Sequence, residues 1–487
     1  MLKVRLCKDT FIRQYREWGY ITSQLTRHDR IYDNIGGIFL SKLSRQEKEI
    51  DSIVMELITL FKDAEYHIIK TDFLEFLTEL EEQKFIVLGN TTSELNQKEP
   101  YFTYSADNPK TLANSYGIHG YNKLPDTAEF FYAKFHEHPA IFGAQIEVTS
   151  RCNERCIHCY IPHEMKTTDM KLSLAFDVMN QLSAMGTLGL TISGGEPLLH
   201  KDIAAILQYA RKMDFSVSVL SNATLLTDEL IDIIKEINIS LFQVSIYSMN
   251  PDEHDVITTV KGSHQKSMGN IEKLIAKDIP VQISCPVMKT NRNSYKDVLL
   301  WAYGHKIKAY TDFIMMAKAN LDTSNLENRI SVQETEALIR DIIEVDEHYR
   351  VFCEEIPPRS VDFEKYKNQP VCGVGVDNIC VVANGNLYPC AGWQDYVIGN
   401  AYEQKIGDVW ENSERLKYLR TITNSSFPEC LECSAKDYCA MCLVRNYNES
   451  GGDMFLINKH FCQVADLNKR LVEEYKSSKS NTNTNAY

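Results

Sequence analysis

Three cysteines, Cys152, Cys156 and Cys159, lie within the stretch SRCNERCIHCYIP at residues 150 to 162. A structural zinc site uses four protein ligands, and a disulfide uses two sulfurs. Three thiolates on one loop can instead hold three irons of a [4Fe-4S] cluster and leave the fourth iron open to a ligand that is not protein. The alternative is a partial zinc site completed by His158 or His163.

A second motif, SGGEP, follows at residues 193 to 197. Gly194 and Gly195 allow backbone to approach a ligand closely, and Glu196 offers a carboxylate to an ammonium group. The stretches SNAT at 221–224 and SIYS at 245–248 add hydroxyl and amide groups. Taken alone, SGGEP is also compatible with a strand-to-helix turn, and each of these polar groups could equally cap the end of a strand.

A second group of cysteines lies towards the end of the chain, and it has eight members: Cys372, Cys380, Cys390, Cys430, Cys433, Cys439, Cys442 and Cys462. Their CxxC pairs suit a zinc ribbon as well as iron-sulfur clusters. The N-terminus MLKVRLCKDT lacks the apolar run of a signal peptide, and no stretch reaches about 18 apolar residues. We therefore expect a cytoplasmic protein, in which 14 cysteines favour metal binding over disulfides.

The overall charge restricts the partners of the chain. Its 487 residues carry a formal net charge of −14 and a pI near 5.5. Phosphate affinity depends on clustered Lys and Arg, so neither a nucleic acid nor a membrane is expected as a partner.

The elements that must position these residues alternate in type through the middle of the chain. Six segments read as strands: AQIEVTS, LGLTISGG, FSVSVLSN, LFQVSIYS, VQISCPVM and AYTDFIMM. Amphipathic stretches such as SLAFDVMNQLSAMG lie between them, which is a βα repeat. Parallel strands place their chemistry at their carboxyl ends, where Cys152, Gly194, Ser221 and Ser245 lie.

The first part of the chain predicts a small winged-helix-like module of strands, helices and a returning strand, KFIVLG. Ser44 and Glu47 form a capping-box pattern ahead of one helix, and a second helix is expected from Asp72 to Gln83. DNA binding is the alternative role for such a module. Residues 1–90 hold 13 basic and 15 acidic side chains, and the second helix is acidic, which disfavours a DNA groove. A peptide added to the sheet edge needs no positive charge.

The cysteine loop CNERCIHC closely resembles the signature of the radical S-adenosylmethionine (SAM) enzymes. The resemblance implies that SAM occupies the open iron and is cleaved to a 5′-deoxyadenosyl radical that abstracts a substrate hydrogen. It also implies SAM contacts, and the residues in the matching positions are His158, Gly194, Gly195, Glu196, Ser221, Asn222, Ser245 and Tyr247.

The later cysteines, with Gly385, resemble the SPASM extension of radical SAM peptide-modifying enzymes. One spacing departs from that pattern, because two residues rather than three separate Cys439 from Cys442. The resemblance implies two auxiliary [4Fe-4S] clusters, and hence three clusters in all. One would be held by Cys372, Cys380, Cys390 and Cys442, and the other by Cys430, Cys433, Cys439 and Cys462. Without Cys380 the first auxiliary cluster would keep an open iron for a substrate thiolate.

The first module, through RIYDNIGGIFLSKL and the helix after it, resembles the peptide-recognition domain of ribosomal peptide maturases, similar to the peptide chaperone of pyrroloquinoline quinone biosynthesis. The resulting organisation is α/β. It comprises a recognition domain at 1–92, a linker at 93–138, a partial (β/α)6 TIM-like barrel at 139–335, a SPASM domain at 336–475 and a disordered tail at 476–487.

These resemblances imply an enzyme that cross-links a ribosomally made precursor peptide, with a thioether from a peptide cysteine as the first choice. Its reductant would be a flavodoxin or ferredoxin. The alternatives are a carbon-carbon or carbon-oxygen cross-link, epimerisation, and a sulfatase-maturing type of enzyme. A redox-sensing winged-helix regulator is disfavoured because no basic recognition helix is present. Epimerisation needs a hydrogen donor, for which Cys285 is the isolated candidate, although it reads more simply as a small core residue.

Overall fold

The computed structural model describes residues 1–61, 64–104, 127–346, 349–350, 353–354, 363–439 and 441–484. The fold is mixed α/β, with a largely parallel central sheet between an N-terminal and a C-terminal domain. None of the described helices combines the length and apolarity that crossing a bilayer requires.

The N-terminal domain contains two small antiparallel sheets and four helices. One sheet has the order β5-β1-β6, formed by β1 Lys3–Leu6, β5 Lys48–Glu49 and β6 Ile86–Gly89. The other is a meander of β2 Thr10–Tyr15, β3 Trp18–Ser23 and β4 Asp29–Tyr32. The helices are α1 Asn34–Ser41, α2 Ile50–Leu60, α3 Tyr66–Glu82 and α4 Thr92–Lys98. The apolar faces of α1 to α3 pack into one core with β1, β3 and β6.

Two helix starts in this domain differ from those predicted. The capping box at Ser44 and Glu47 is wrong: α2 begins only at Ile50, after Glu49, and Glu47 instead pairs with Lys3 at 2.9 Å. The pairing of β5 with β1 keeps the chain extended up to Glu49. The acidic helix, predicted from Asp72, is longer and begins at Tyr66.

The expected linker at 93–138 contains regular structure. Helix α4 begins at its edge, where the Thr91 side chain accepts a hydrogen bond from the Glu94 N–H at 3.2 Å. Helix α5, Thr127–Glu137, lies at its other end, and residues 105–126 lie outside the described residues. Neither helix was predicted, because this stretch of the sequence shows no clear apolar period.

The middle of the chain forms the predicted βα repeat. Its six parallel strands are β7 Gly143–Thr149, β8 Gly189–Gly194, β9 Ser216–Ser221, β10 Leu241–Ser245, β11 Val281–Ser284 and β12 Lys308–Tyr310. The helices are α6 Leu172–Ala184, α7 Ile203–Lys212, α8 Asp228–Glu236, α9 Pro251–Thr258, α10 Ser263–Ala276 and α11 Tyr295–Gly304. Ile146, Ile192 and Val219 are in register and fully buried, so one face of the sheet forms the core with the helices.

The C-terminal domain continues the same sheet. Strand β13, Asn378–Val381, pairs in parallel with β7, and β14 Asn386–Tyr388 and β15 Gly399–Asn400 follow it antiparallel. The order of the nine strands is β12-β11-β10-β9-β8-β7-β13-β14-β15. The helices here are α12 Val332–Val345, α13 Phe363–Asn368, α14 Ile406–Asn412, α15 Glu414–Arg420, α16 Pro428–Leu431, α17 Leu443–Ser450 and α18 Lys459–Thr484. Helix α18 continues to Thr484, so residues 476–484 are helical. The prediction of a disordered tail from residue 476 is wrong for these residues.

The N-terminal domain docks on the amino-terminal side of the barrel strands. Phe11 and Tyr20 form an apolar cluster with Leu188, which directly precedes β8. Next to it, Asp214 pairs with three arginines: Arg13, Arg45 and Arg211. The docked domain therefore lies at the opposite end of the sheet from the cysteine loop, which follows the carboxyl end of β7.

Candidate iron-sulfur and SAM site

The loop that carries Cys152, Cys156 and Cys159 is held by backbone hydrogen bonds to α9. The N–H of Arg155 donates to the carbonyl of Thr258 at 3.1 Å, and the N–H of Ile157 donates to that of Ile257 at 3.0 Å. The three thiols thus have a fixed frame at the carboxyl edge of the sheet.

The two glycines of SGGEP touch the start of this loop. A Cβ on Gly194, whose φ is +145°, would lie 2.1 Å from the Thr149 carbonyl oxygen, and one on Gly195 would lie 2.4 Å from that of Arg151. The N–H of Gly195 donates to Thr149 at 2.9 Å, and the N–H of Glu196 donates to Arg151 at 2.8 Å. The two glycines were expected to let backbone approach a ligand. In the structure they instead let the turn after β8 approach the backbone at the start of the cysteine loop.

Glu196 is buried beneath these turns. Its carboxylate accepts hydrogen bonds from the Ser221 hydroxyl at 2.7 Å, the Asn222 N–H at 2.7 Å and the Leu198 N–H at 3.0 Å. Burial raises the pKa of Glu196 to about 7. Among the described residues it has no cationic partner. A carboxylate has about four acceptor positions, so the arrangement fits one more donor, such as an ammonium group.

Tyr247 and His158 lie next to the cysteine loop. Their ring centroids are 4.9 Å apart and the rings meet edge to face, while the Tyr247 hydroxyl lies 3.9 Å from the Cys156 sulfur. Burial lowers the pKa of His158 to about 4, and its Nδ1 is buried without a hydrogen-bond partner in the described part of the chain. A buried, neutral ring with one free acceptor or donor fits a cofactor contact. Ser245 ends β10 beside them.

Two groups that face the thiols were not predicted from the sequence. The Lys166 ammonium lies 3.3 Å from the Cys159 sulfur, and the Glu154 carboxylate lies 3.5 Å from the Cys156 sulfur. Burial raises the pKa of Glu154 to about 7 and that of Cys152 to about 11. Cluster ligands are thiolates, and the Lys166 ammonium places an opposite charge beside one of the sulfurs that would bind iron. Lys166 lies seven residues after Cys159, and it contacts the Cys159 sulfur only because the loop between them turns back.

The first predicted auxiliary set is partly assembled. Cys372 interacts electrostatically with Cys390 and Cys442, and these charges raise its pKa further after burial, to about 12. Cys380 lies in β13, is fully buried, and has Glu147 and Cys390 as its charged neighbours. Three of the four thiols thus form a group, with Cys380 beside it on the sheet. Its role as a ligand stays a prediction.

The second predicted auxiliary set lines one cavity. Cys430, Cys433, Cys439 and Cys462 all border a space of about 340 Å³ near Val371. Burial, followed by the charges of the other three cysteines, raises the pKa of Cys430 to about 11. The four thiols converge on one space, which fits a cluster with four cysteine ligands.

The zinc alternatives need side chains that converge on a single ion. Within the described ranges, no three His, Cys, Asp or Glu side chains are placed in that way. The thiols of a [4Fe-4S] cluster bind separate irons, which is a wider arrangement.

Cys285 directly follows β11 and is fully buried in the main core, with its thiol 3.8 Å from the Tyr247 carbonyl oxygen. Burial raises its pKa. This is the environment of a structural core cysteine, and its role as hydrogen donor stays a prediction.

Two family models match the chain. Residues 146–302 match the radical SAM superfamily, and residues 372–434 match the SPASM iron-sulfur cluster-binding domain. The chain therefore contains a radical SAM domain and a SPASM domain, which imply SAM and iron-sulfur clusters as cofactors.

Curated relatives match about two thirds of the chain. An AdoMet-dependent heme synthase of Methanosarcina barkeri is 25% identical over 340 residues, covering 65% of this chain and 94% of its own. The antilisterial bacteriocin subtilosin biosynthesis protein AlbA of Bacillus subtilis is 26% identical over 327 residues, covering 64% and 70%.

A solved structure resembles nearly the whole chain. Streptococcus suis SuiB bound to precursor peptide SuiA has a TM-score of 0.61 and 14% identity, covering 94% of this chain and 99% of its own. The fold, including the N-terminal domain, is thus similar to that of SuiB.

Proposed function

We propose that this protein is a radical SAM maturase that binds a ribosomally made precursor peptide through its N-terminal domain and cross-links it, with a cysteine thioether as the product. The main observation in support of this proposal is the sheet formed by β2, β3 and β4. In the described part of the chain, β4 pairs with β3 alone, which makes it an edge strand of this sheet. A leader peptide that adds a strand there needs no basic surface.

Helix α3 packs beside this edge strand. The Tyr32 ring of β4 packs on Phe76 of α3 with centroids 5.0 Å apart, and its hydroxyl donates to Glu79 at 3.0 Å. A peptide held between β4 and α3 would meet acidic side chains, which favours basic residues in the leader. The likeness to SuiB, whose structure contains a precursor peptide, and the relationship to AlbA support a peptide substrate.

The residues at the carboxyl edge of the sheet have separate tasks in this proposal. Cys152, Cys156 and Cys159 would hold the cluster, and Glu196 would take the amino group of SAM with its free acceptor position. When bound, the cluster and SAM supply a carbon-centred radical that removes a hydrogen atom from the substrate. The His158 and Tyr247 rings would close one side of the cofactor pocket.

The eight later cysteines are the reason for choosing a cross-link. Joining a peptide thiol to a carbon removes one hydrogen atom, one proton and one electron from the peptide. The electron needs an acceptor, and the cavity of Cys430, Cys433, Cys439 and Cys462 is a place for one. A flavodoxin or ferredoxin would supply the electron that starts each cycle.

Mass spectrometry of candidate precursor peptides tests the proposal. After anaerobic incubation with the iron-reconstituted protein, SAM and reductant, a cross-linked peptide should be about two mass units lighter because two hydrogens are lost. The joined cysteine should no longer react with iodoacetamide. The same loss of mass with every thiol still reactive would indicate a carbon-carbon or carbon-oxygen bond. Unchanged mass with solvent deuterium at an α-carbon would indicate epimerisation.

A heme-forming activity is the second candidate, because an AdoMet-dependent heme synthase is among the relatives by sequence. That match leaves about a third of this chain uncovered. A variant that lacks residues 1–92 tests the role of the N-terminal domain: loss of peptide modification, with slow peptide-independent SAM cleavage retained, supports the first proposal. Full activity of this variant on peptide would contradict it.

A further inference from the structure

Each of the three sulfurs of the cysteine loop faces its own hydrogen-bond donor. The Cys152 sulfur lies 3.4 Å from the backbone N–H of Glu154. The Cys156 sulfur faces the Tyr247 hydroxyl at 3.9 Å, and the Cys159 sulfur faces the Lys166 ammonium at 3.3 Å. The first donor is backbone and belongs to any loop of this shape. The other two are side chains: Lys166 follows Cys159 by 7 residues, and Tyr247 follows Cys156 by 91.

Lys166 is held in place by its loop. Residues His163–Met165 form a single 3-10 turn, and the Lys166 N–H donates to the His163 carbonyl at 3.1 Å. The next two residues are fixed as well, because the N–H groups of Thr167 and Thr168 donate to the Ser150 hydroxyl at 2.9 and 2.8 Å. Among the described residues, Lys166 makes no ion pair with a carboxylate. Its positive charge is therefore directed at the sulfur without neutralisation.

Tyr247 is held even more firmly. It is 4% exposed, and its ring lies between those of His158 at 4.9 Å and His254 at 5.3 Å. Its N–H donates to Nδ1 of His254 at 3.2 Å, and its carbonyl accepts from the Asn291 amide at 2.7 Å. The hydroxyl group consequently has little freedom to turn away from Cys156.

We propose that Lys166 and Tyr247 set the reduction potential of the cluster at Cys152, Cys156 and Cys159. This rests on the proposed cluster at these cysteines. Reduction adds a negative charge to a cluster and its sulfurs. A hydrogen bond or a positive charge at a sulfur stabilises the reduced form and raises the potential. Both donors act in a partly buried site, where water screens charge poorly. Tyr247 thus acts on the cluster through Cys156, in addition to any contact with SAM.

Redox titration of the reconstituted, SAM-free protein, followed by electron paramagnetic resonance, tests this inference. The signal of this cluster is the one missing from a Cys152→Ala, Cys156→Ala, Cys159→Ala variant. Lys166→Met and Tyr247→Phe should each shift its midpoint to a more negative potential, and the larger shift should come from Lys166→Met because a full charge is lost. Since the donors contact different sulfurs, the two shifts should add in the double variant.

Conservative and distant substitutions provide the controls. Lys166→Arg keeps the charge and should keep the midpoint close to that of the unmodified protein. Lys171→Met removes a lysine of the same segment that lies over the Tyr402 ring, away from the sulfurs, and should change nothing. Iron content is measured for every variant, so a lost cluster is not mistaken for a shifted one.

Two outcomes overturn the inference separately from the proposed function. An unchanged midpoint in Tyr247→Phe and Lys166→Met with full iron content shows that the donors do not set the potential. A shift of equal size in Lys171→Met shows that only overall charge matters. If the unmodified protein forms no cluster at these cysteines, the proposed function fails together with this inference.

Discussion

Gly195 has a structural task that its motif did not reveal. It lies where the turn after β8 meets the cysteine loop, and a Cβ there would be 2.4 and 2.5 Å from two carbonyl oxygens. Because backbone atoms on both sides are held by hydrogen bonds, a side chain would have to push the cysteine loop away from the sheet.

Gly195→Ala should therefore lower the free energy of unfolding by about 2–3 kcal/mol and reduce the iron bound at Cys152, Cys156 and Cys159. Denaturant unfolding and iron analysis measure the two effects. The control is Gly269→Ala in α10, where a Cβ would meet nothing within 4 Å. Wild-type iron content in Gly195→Ala would show that the two backbones can separate without loss of the site.

The cysteines that line the C-terminal cavity allow a second prediction for single residues. Cys462→Ala should still form 5′-deoxyadenosine, because the proposed function assigns radical formation to the cluster at Cys152, Cys156 and Cys159, while cross-linked product falls by at least about tenfold. Chromatography of both products from one reaction measures the ratio. Cys7→Ala is the control, since Cys7 is buried beside Val87 and Leu95 in the N-terminal domain. Equal loss of 5′-deoxyadenosine and product in Cys462→Ala would contradict the division of roles.

At the scale of elements, the turn between β1 and β2 carries a buried acid. Asp9 is 4% exposed and its Oδ2 has no hydrogen-bond partner among the described residues. Burial, assisted by the charge of Glu99, raises its pKa from 3.8 to about 6, and Arg45 and Arg211 offset this only in part. Because the folded pKa lies above the unfolded one, the folded protein loses stability as pH rises from about 4 through 6.

Asp9→Asn removes this loss. Two pKa units correspond to about 3 kcal/mol, so the variant should be more stable than wild type by up to about that amount at pH 7.5. The difference should become smaller as pH falls towards 5. Denaturant unfolding at several pH values is the measurement. A constant difference between the two proteins at all pH values would show that Asp9 does not titrate in this range.

The elements show which features a sequence can reveal. The six barrel strands, the cysteine loop after the first and SGGEP after the second were predictable, since each depends on a local pattern of apolar and turn residues. The pairing of β13 with β7 was not, because it joins residues 378–381 to 143–146 across the chain. The partners of Gly194 and Gly195 and the return of Lys166 to Cys159 likewise depend on tertiary contacts.

At the scale of the whole molecule, one sheet runs through the barrel and the C-terminal domain. Cys380 of β13 is in register with Gln145 of β7, and Glu147 lies two residues further along the strand that leads to the cysteine loop. The Gln394 amide donates to Glu147 at 2.8 Å, which adds a direct contact between the two domains. The position of Cys380 relative to the strand that leads to the cysteine loop is therefore fixed by the sheet.

The N-terminal domain is joined differently, through side chains around Asp214. Its carboxylate pairs with Arg13 at 3.0 Å and Arg211 at 3.3 Å, and also with Arg45. The arginines have further acceptors, such as the Thr187 carbonyl for Arg13 and the Lys8 carbonyl for Arg211. Since Asp214 is 40% exposed, water screens these pairs, and their joint contribution to docking is about 1 kcal/mol.

If the docked domain presents a leader peptide to the barrel, Asp214→Asn should weaken presentation without touching the chemistry. A loss of about 1 kcal/mol corresponds to about a fivefold fall in cross-linked product per 5′-deoxyadenosine. Asparagine tolerates the left-handed φ of 64° at this position, so the backbone is kept. Peptide-independent SAM cleavage and the affinity for the leader should both remain at wild-type values, because β4 and the cysteine loop are unchanged.

Asp232→Asn, which removes a single surface pair with Lys277, is the matched control. An unchanged product ratio in Asp214→Asn would show that docking at this contact does not guide the peptide, and a parallel fall in peptide-independent cleavage would show that the substitution reaches the first cluster site.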